Sequence, residues 1–358
     1  MIRRGYMEVV ATIALQDGQI LGEDIVVGGN VAIKKGTKID NIIRQKLTAF
    51  RLMSVSVMEP SDFAETYYEK VRLSKDFGKF KETYHENLIA YKVAVDSFIY
   101  NKVPFRFAEL KDMAWKLCPD DLLGKRLFAY INLMVPESES TMSFAHGLNV
   151  ALICKVMARW FNLTPQDTEI LVYSGFLYDV GKFLLPQEII WKPEKLSKME
   201  FDLIKTHAFH GYYLLSKSFG VNEHIKNAVL QHHERVDGTG YPQGLTAAEI
   251  DPFAKMIAIA DVYEAMTSPR TYRDPMCPYK AIQIIEDESL QKYDTFYITT
   301  FLQHIVDELI GNKVRLSNGL EGEVLMNNRN DLSRPVVKCG EQIVDLSQNR
   351  SVSITAII

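Results

Sequence analysis

The stretch QHHERVDGTGYP, residues 231–242, holds two adjacent histidines near the end of a helical pattern that is predicted to run from 222 to 234. A glycine-rich loop follows them directly. Imidazole nitrogens are common metal ligands near neutral pH, and two rings at a helix end can point into one pocket. Gly238 and Gly240 allow the backbone to approach a ligand closely. A loop of this kind beside a metal site is suited to an enzyme in which the metal assists attack on a phosphate ester. The pair His232-His233 alone would indicate only surface histidines at a helix end, so other ligands must come from elsewhere in the chain.

Length and composition limit the possible classes of protein. The chain has 358 residues, 47% of them hydrophobic and 24% charged, which is ordinary for a soluble globular protein with two or three domains. A formal net charge of −4 argues against bulk nucleic-acid binding, which needs a basic face. No apolar run reaches the length that spans a bilayer, so we expect no membrane association and a cytoplasmic location. The four cysteines form no C-x-x-C pair and are predicted to be free thiols: Cys118, Cys154, Cys277 and Cys339.

Further candidate ligands lie on predicted helices elsewhere, three of which are predicted to begin at Thr164, Ser197 and Asp251. His146 shares an apolar face within residues 144–161, where a lone histidine is more often a core residue than a ligand. Asp179 and Asp261 each stand inside an apolar run, and a buried carboxylate is costly unless a cation lies beside it. With His207, these positions complete a set of imidazoles and carboxylates on five helices: His146, Asp179, His207, His232, His233 and Asp261. That mixture suits Fe, Mn or Zn, and a carboxylate can bridge two such ions.

The run His-His-Glu-x-x-Asp-Gly-x-Gly-Tyr-Pro resembles the signature of HD-GYP domains, the metal-dependent phosphohydrolases that linearise cyclic di-GMP. The resemblance implies that Asp179 bridges the metals. It assigns His207, His232 and His233 to one ion, and His146 and Asp261 to the other. The implied cofactor is a divalent metal, Fe or Mn, with one or two ions. The implied reaction is hydrolysis of cyclic di-GMP, or of a related cyclic dinucleotide, to a linear dinucleotide or GMP.

Basic residues that follow the predicted ligands in the sequence complete the candidate site. Lys182 follows Asp179 by three residues, and we predict that these two take part in catalysis, with Lys182 assisting a phosphate or leaving oxygen. Arg270 and Arg273 follow Asp261 and resemble the family's phosphate-contacting run. A guanidinium can bind two phosphate oxygens at once, so both arginines are predicted to bind substrate. From the loop, Tyr241 and Gly240 are also predicted to contact substrate.

One position departs from the family pattern. The His-Asp pair that gives the family its name is Tyr178-Asp179 here, and a phenol is a poor metal ligand unless it is ionised, which a pKa near ~10 opposes. The sequence therefore predicts one complete site and one weakened site: Asp179, His207, His232 and His233 for the first, and His146, Asp179 and Asp261 for the second. An alternative is a catalytically degenerate domain that senses cyclic di-GMP or metal. A general nucleotide phosphohydrolase of the wider HD superfamily is a third hypothesis, weakened by the Gly-Tyr-Pro loop.

The flanking segments are predicted to form separate modules. Residues 1–60 are strand-rich, with a helix predicted at 39–50 and a strand at 52–57, and indicate a small α+β module. In residues 61–135, apolar residues recur with the spacing of a helix. This pattern suits a helix pair that transmits a signal or dimerises, and it equally suits an ordinary amphipathic bundle. In residues 311–358, apolar and polar residues alternate on both sides of Asn318-Gly319, which predicts a hairpin in a small β module. The predicted fold is mainly α, with an HD-superfamily helical bundle at 136–310. A homodimer or a signalling partner could bind through the flanking modules.

Overall fold

The computed structural model describes residues 8–58, 66–120, 125–136, 138–192, 194–269, 275–288 and 290–358. The chain divides into two units, residues 1–79 with residue 358, and residues 80–357. The mainly helical fold, with strands near both ends of the chain, agrees with the predicted fold class.

The first unit combines short strands with helices. They are β1 (Glu8–Ala11), β2 (Ile20–Leu21), β3 (Ile25–Val27), β4 (Asn30–Ile33), α1 (Asn41–Ala49), β5 (Ser54–Met58) and α2 (Tyr67–Arg72). Strands β1, β5 and β2 form an antiparallel sheet in that order, and β3 pairs with β4. Val55 and Val57 alternate with serines along β5, so they bury one face of the strand against Leu21 and Leu47. The predicted helix at 39–50 and strand at 52–57 are confirmed.

The second unit is built from helices. They are α3 (Lys75–Asn101, which begins in the first unit), α4 (Phe107–Leu117), α5 (Lys125–Leu133), α6 (Glu139–Trp160), α7 (Pro165–Leu177), α8 (Gln187–Ile190), α9 (Lys198–Lys205), α10 (His207–Ser216), α11 (Glu223–Gln231), α12 (Pro252–Thr267), α13 (Pro278–Glu288) and α14 (Thr295–Glu308), with 3-10 helices at Val180–Leu184 and Leu290–Lys292. Three predicted helix starts are confirmed. Thr164 caps α7 ahead of a proline, Ser197 opens a capping box at α9, and Asp251 caps α12.

Helix α6 lies at the centre of this unit. It is buried along most of its length and packs against α7, α12 and α14. By length and composition it is the one described helix that could cross a membrane, but 89% of its apolar window is buried inside the protein. The sequence-based expectation that no apolar run reaches this length was therefore wrong. The apolar composition of α6 follows from its place in the core.

The C-terminal residues form an antiparallel sheet. Its strands are β6 (Lys313–Leu316), β7 (Glu321–Met326), β8 (Val336–Cys339), β9 (Gln342–Asp345) and β10 (Ile354–Ile357), in the order β10-β6-β7-β8-β9. The predicted hairpin at Asn318-Gly319 is confirmed: it joins β6 to β7, and Gly319 adopts a φ of 85°. Strand β10 packs on α13.

Candidate metal centre

The ends of several helices bring the predicted ligands together. Asp179 lies just beyond α7, His207 begins α10, and the pair His232-His233 follows α11. A close contact at Gly181 makes this arrangement possible. A Cβ atom at this position would lie 1.9 Å from the backbone oxygen of His207, so any side chain would push the 3-10 helix away from α10.

Four of the predicted ligands form one cluster. Each of Asp179, His207, His232 and His233 offers a ligand atom, and these atoms all lie within 4.8 Å of one another. The Nε2 atoms of His207 and His232 are 3.1 Å apart. Asp179 Oδ1 lies 3.3 Å from the first of these nitrogens and 3.6 Å from the second. The cluster is the one that the sequence predicted as the complete site.

The hydrogen bonds around this cluster leave the lone pairs of its ligand atoms pointing toward the centre of the cluster. His207 Nδ1 donates to the carbonyl oxygen of Ile204 at 2.6 Å, and His232 Nδ1 donates to that of Val229 at 2.9 Å. Since a carbonyl only accepts, each neutral ring carries its proton on Nδ1 and presents a bare Nε2. Asp179 Oδ1 is buried and makes no hydrogen bond with any residue that the structure describes. Acceptors that face one another in this way fit a cation between them.

Electrostatics keep these groups in the protonation states that metal binding needs. Burial lowers the pKa of His207, and burial with the neighbouring His232 and His207 rings lowers that of His233 well below its ordinary value. Burial opposes ionisation of Asp179, but the charge of Lys182, whose Nζ lies 2.5 Å from Asp179 Oδ2, and the neighbouring His207 and His232 rings together outweigh it. The pKa of Asp179 therefore lies well below its usual range. Near neutral pH His207 and His233 are therefore neutral imidazoles and Asp179 is an ionised carboxylate, the forms that bind a metal.

His146 and Asp261 belong to a second cluster that contains Tyr178. The hydroxyl oxygen of Tyr178 lies 2.6 Å from His146 Nε2 and 3.0 Å from Asp261 Oδ1. His146 Nε2 is 2.9 Å from the same Asp261 oxygen, and His146 Nδ1 bonds to Glu264. Both ring nitrogens of His146 are therefore engaged by protein groups. Asn149 Nδ2 donates to the other oxygen of Glu264 at 2.7 Å.

The charges in this second cluster favour the protonated forms of His146 and Tyr178. Burial alone would lower the pKa of His146, but the Glu264 and Asp261 carboxylates outweigh it and raise the pKa to about 9. Burial, with the charges of Asp261 and Asp179, raises the pKa of Tyr178 well above its ordinary value. The phenol thus stays protonated, and a neutral hydroxyl is a poor metal ligand.

The loop at residues 231–242 packs tightly on itself. Helix α11 ends at Gln231 and not at Glu234 as predicted, because the chain turns there and the Glu234 carboxylate accepts from the amides of Gln243 and Leu245, at 2.7 and 3.0 Å. A Cβ at Gly240 would lie 2.4 Å from the Glu234 Cα, so this position needs glycine for packing. Substrate binding by Gly240 stays a prediction.

The remaining predicted residues lie in different situations. Tyr241 stacks on His233, with ring centroids 4.6 Å apart and an angle of 28° between the rings. Arg270 and Arg273 lie outside the described residues. The sequence analysis missed Glu264 and Asn149 as members of the second cluster. Glu264 could have been found, since it is a carboxylate one turn beyond Asp261 on an apolar helix.

Comparison with known proteins agrees with this geometry. Residues 129–296 match a family model described as the HD domain. This segment has the HD-domain fold. It contains all six predicted metal ligands.

Curated proteins similar to this chain are cyclic-dinucleotide phosphodiesterases by name. The 3'3'-cGAMP-specific phosphodiesterase 1 of Vibrio cholerae is 37% identical over 43% of this chain and 36% of its own length. The cyclic di-GMP phosphodiesterase PA4108 of Pseudomonas aeruginosa is 30% identical over 62% of this chain and 55% of its own. The cyclic di-GMP phosphodiesterase of Thermotoga maritima is 37% identical over 48% of this chain and 46% of its own. The chain thus spans about half or less of the length of these relatives.

Among solved structures, an HDG"Y"P protein from Bdellovibrio bacteriovorus is similar over 83% of this chain and 98% of its own, with a TM-score of 0.42 and 14% sequence identity.

Proposed function

We propose that this protein is a metal-dependent phosphodiesterase that hydrolyses a cyclic dinucleotide. The observation that carries the proposal is the inward-facing set of lone pairs on Asp179, His207, His232 and His233. The names of the relatives support cyclic di-GMP or 3'3'-cGAMP as substrate. Both are cyclic dinucleotides, and the product is a linear dinucleotide or GMP.

We propose that these four residues hold one divalent ion, Fe or Mn. Mixed imidazole and carboxylate donors suit both metals. An ion bound there would supply Lewis-acid chemistry to a phosphate ester. The second position predicted from the sequence is not supported to the same degree, because His146 Nε2 and Asp261 Oδ1 contact each other and both contact the Tyr178 hydroxyl.

The chain's own residues prepare this site for an anionic substrate. Lys182 keeps Asp179 ionised through a 2.5 Å ion pair, and its side chain is still 23% exposed. It can therefore also face a phosphate oxygen. We propose that Arg270 and Arg273 bind the phosphodiester through their guanidinium groups. Tyr241, stacked on His233, offers an aromatic ring to a nucleobase at the rim of the cluster.

We also propose a cytoplasmic location. The four cysteines are free, as expected for a reducing compartment: Cys118, Cys154, Cys277 and Cys339. A homodimer, or a signalling partner bound through the flanking modules, remains part of the proposal.

A second candidate function is a sensor that binds cyclic di-GMP without turning it over. The observation that favours it is the protonated Tyr178 hydroxyl, which contacts both His146 Nε2 and Asp261 Oδ1. A site with one ion would then bind the ligand's phosphate while lacking part of the catalytic charge.

Anaerobic purification, metal analysis and a cyclic di-GMP turnover assay separate the two functions. For the enzyme, we expect wild-type protein to carry Fe or Mn and to linearise cyclic di-GMP. His207→Ala should lose the metal and the activity together, because this ring donates to the main cluster. The matched control is His304→Ala, whose ring stacks on Trp160 away from the cluster and whose loss should leave both properties intact. Calorimetric binding of cyclic di-GMP without turnover would favour the sensor, and absence of both binding and turnover would contradict both functions.

A further inference from the structure

A chain of buried hydrogen bonds links helix α3 to the second cluster. The hydroxyl of Tyr84, on α3, donates to Asn149 Oδ1 on α6 at 2.8 Å. Asn149 Nδ2 donates to Glu264 Oε1 on α12 at 2.7 Å. The other oxygen of Glu264 accepts from His146 Nδ1. Three helices thus contribute to one continuous path.

The direction of each bond in this path is fixed by chemistry. An ionised carboxylate only accepts, so Asn149 must turn its amide nitrogen toward Glu264. Its oxygen then faces Tyr84, whose hydroxyl must donate. Burial and the Glu264 charge keep the pKa of Tyr84 well above its ordinary value, so the hydroxyl keeps this proton. A change at either end of the path therefore alters the bonds at the other.

Burial makes the path rigid. Tyr84, Asn149 and Glu264 are each 2% exposed, so solvent does not compete for their hydrogen bonds. An unpaired polar group in such a place is costly, which favours the single arrangement in which every group in the path is bonded.

Tyr84 lies outside the HD domain itself. The family match begins at residue 129, whereas Tyr84 stands on α3, which begins at Lys75 in the first unit. A turn of α3 about its axis would therefore move the Tyr84 hydroxyl relative to Asn149.

We propose that Tyr84 is a positioning residue: through Asn149 and Glu264 it fixes the His146 ring, and helix α3 thereby takes part in setting the geometry beside the metal centre. This inference deepens the proposed function and rests on it, since it concerns regulation of the same site. It assigns to α3 a role that the sequence left open between signal transmission and ordinary packing.

NMR of the histidine ring nitrogens and their protons tests this proposal. The measurement uses the full chain labelled with ¹⁵N-histidine, with Zn²⁺ added as a diamagnetic ion. The His146 signals are assigned by their loss in His146→Gln. In Tyr84→Phe, which removes one hydroxyl, we expect the His146 Nδ1 proton and nitrogen signals to shift. The signals of His224 and His304, which lie outside the path, should stay in place.

Tyr173→Phe is the matched control. The Tyr173 hydroxyl likewise donates to a side-chain oxygen, Glu169 Oε2 at 3.3 Å, but Tyr173 has no place in the path to His146. Its replacement should leave the His146 signals unchanged. Asn149→Leu cuts the path at its middle and should shift the same signals as Tyr84→Phe, which keeps the test decisive if one variant folds poorly.

Unchanged His146 signals in a folded Tyr84→Phe or Asn149→Leu protein would overturn the proposal. A shift that is equally large in Tyr173→Phe would also overturn it, because the effect would then be general. The readout needs no turnover. Loss of the proposed enzymatic function in the assay above would leave the positioning role of Tyr84 to be decided by the NMR signals alone.

Discussion

At the scale of single residues, Tyr178 determines what the second cluster can bind. Its hydroxyl lies within hydrogen-bonding distance of both His146 and Asp261, and burial keeps it protonated. The sequence alone indicated a poor ligand at this position, because a phenol is a weak metal donor. It could not indicate where the hydroxyl would lie, since Tyr178, His146 and Asp261 meet only after three helices have packed.

The substitution Tyr178→His should add a ligand to the second cluster. An imidazole can donate a lone pair to a metal where the neutral phenol cannot. We expect bound Fe or Mn, measured by elemental analysis after anaerobic purification, to rise from about one toward about two ions per chain. Turnover of cyclic di-GMP should then increase by about tenfold or more.

Tyr178→Phe is the control for this prediction. It removes the hydroxyl without adding a donor, so its metal content should equal that of wild type. If Tyr178→His also holds only the wild-type amount, the tyrosine is not what limits metal binding.

At the scale of secondary-structure elements, helix ends deliver the ligands of the main cluster. The sequence predicted helix starts well, because a capping side chain such as Thr164 or Ser197 acts within one turn of the chain. It placed the end of α11 three residues too late. That end depends on the Glu234 carboxylate, which binds amides nine and eleven residues further along. The close contact at Gly181 was equally hidden, since its partner is His207.

Gly181→Ala should separate the 3-10 helix at 180–184 from α10. The added Cβ would lie 1.9 Å from the His207 carbonyl oxygen, so the backbone must move. Overpacking of this kind costs about 1–3 kcal/mol. We expect a lower free energy of unfolding by urea and a reduced metal content, because Asp179 and His207 lie on the two sides of the contact.

Gly78→Ala provides the comparison. Gly78 lies within α3 with no atom within 4 Å of an added Cβ, so alanine should be neutral or raise stability by up to about 1 kcal/mol. Metal content in Gly181→Ala equal to that in Gly78→Ala would show that the contact does not position the ligands.

At the scale of the whole molecule, the hairpin of the C-terminal sheet was predictable because its signal is local. Alternation around Asn318-Gly319 predicts the β6–β7 hairpin, which the structure contains. How the C-terminal sheet attaches to the helices was not predictable. The carboxylate of Glu286, on α13, accepts from the amides of Leu332 and Ser333, at 2.7 and 3.1 Å. These partners are 46 and 47 residues away along the chain, so no short pattern records them.

Glu286→Ala should loosen this attachment without disturbing the metal centre. Both amides would lose a charged acceptor, and each such hydrogen bond contributes roughly 1.5–3 kcal/mol. We expect faster hydrogen exchange, measured by mass spectrometry, in the segment around Leu332 and Ser333, with unchanged metal content. Glu321→Ala is the matched control. Glu321 lies in the C-terminal sheet and pairs with Arg315 at the surface, where an ion pair contributes less than about 1 kcal/mol. Equal exchange in the two variants would mean that other contacts hold the sheet on the helices and that Glu286 is dispensable for the attachment.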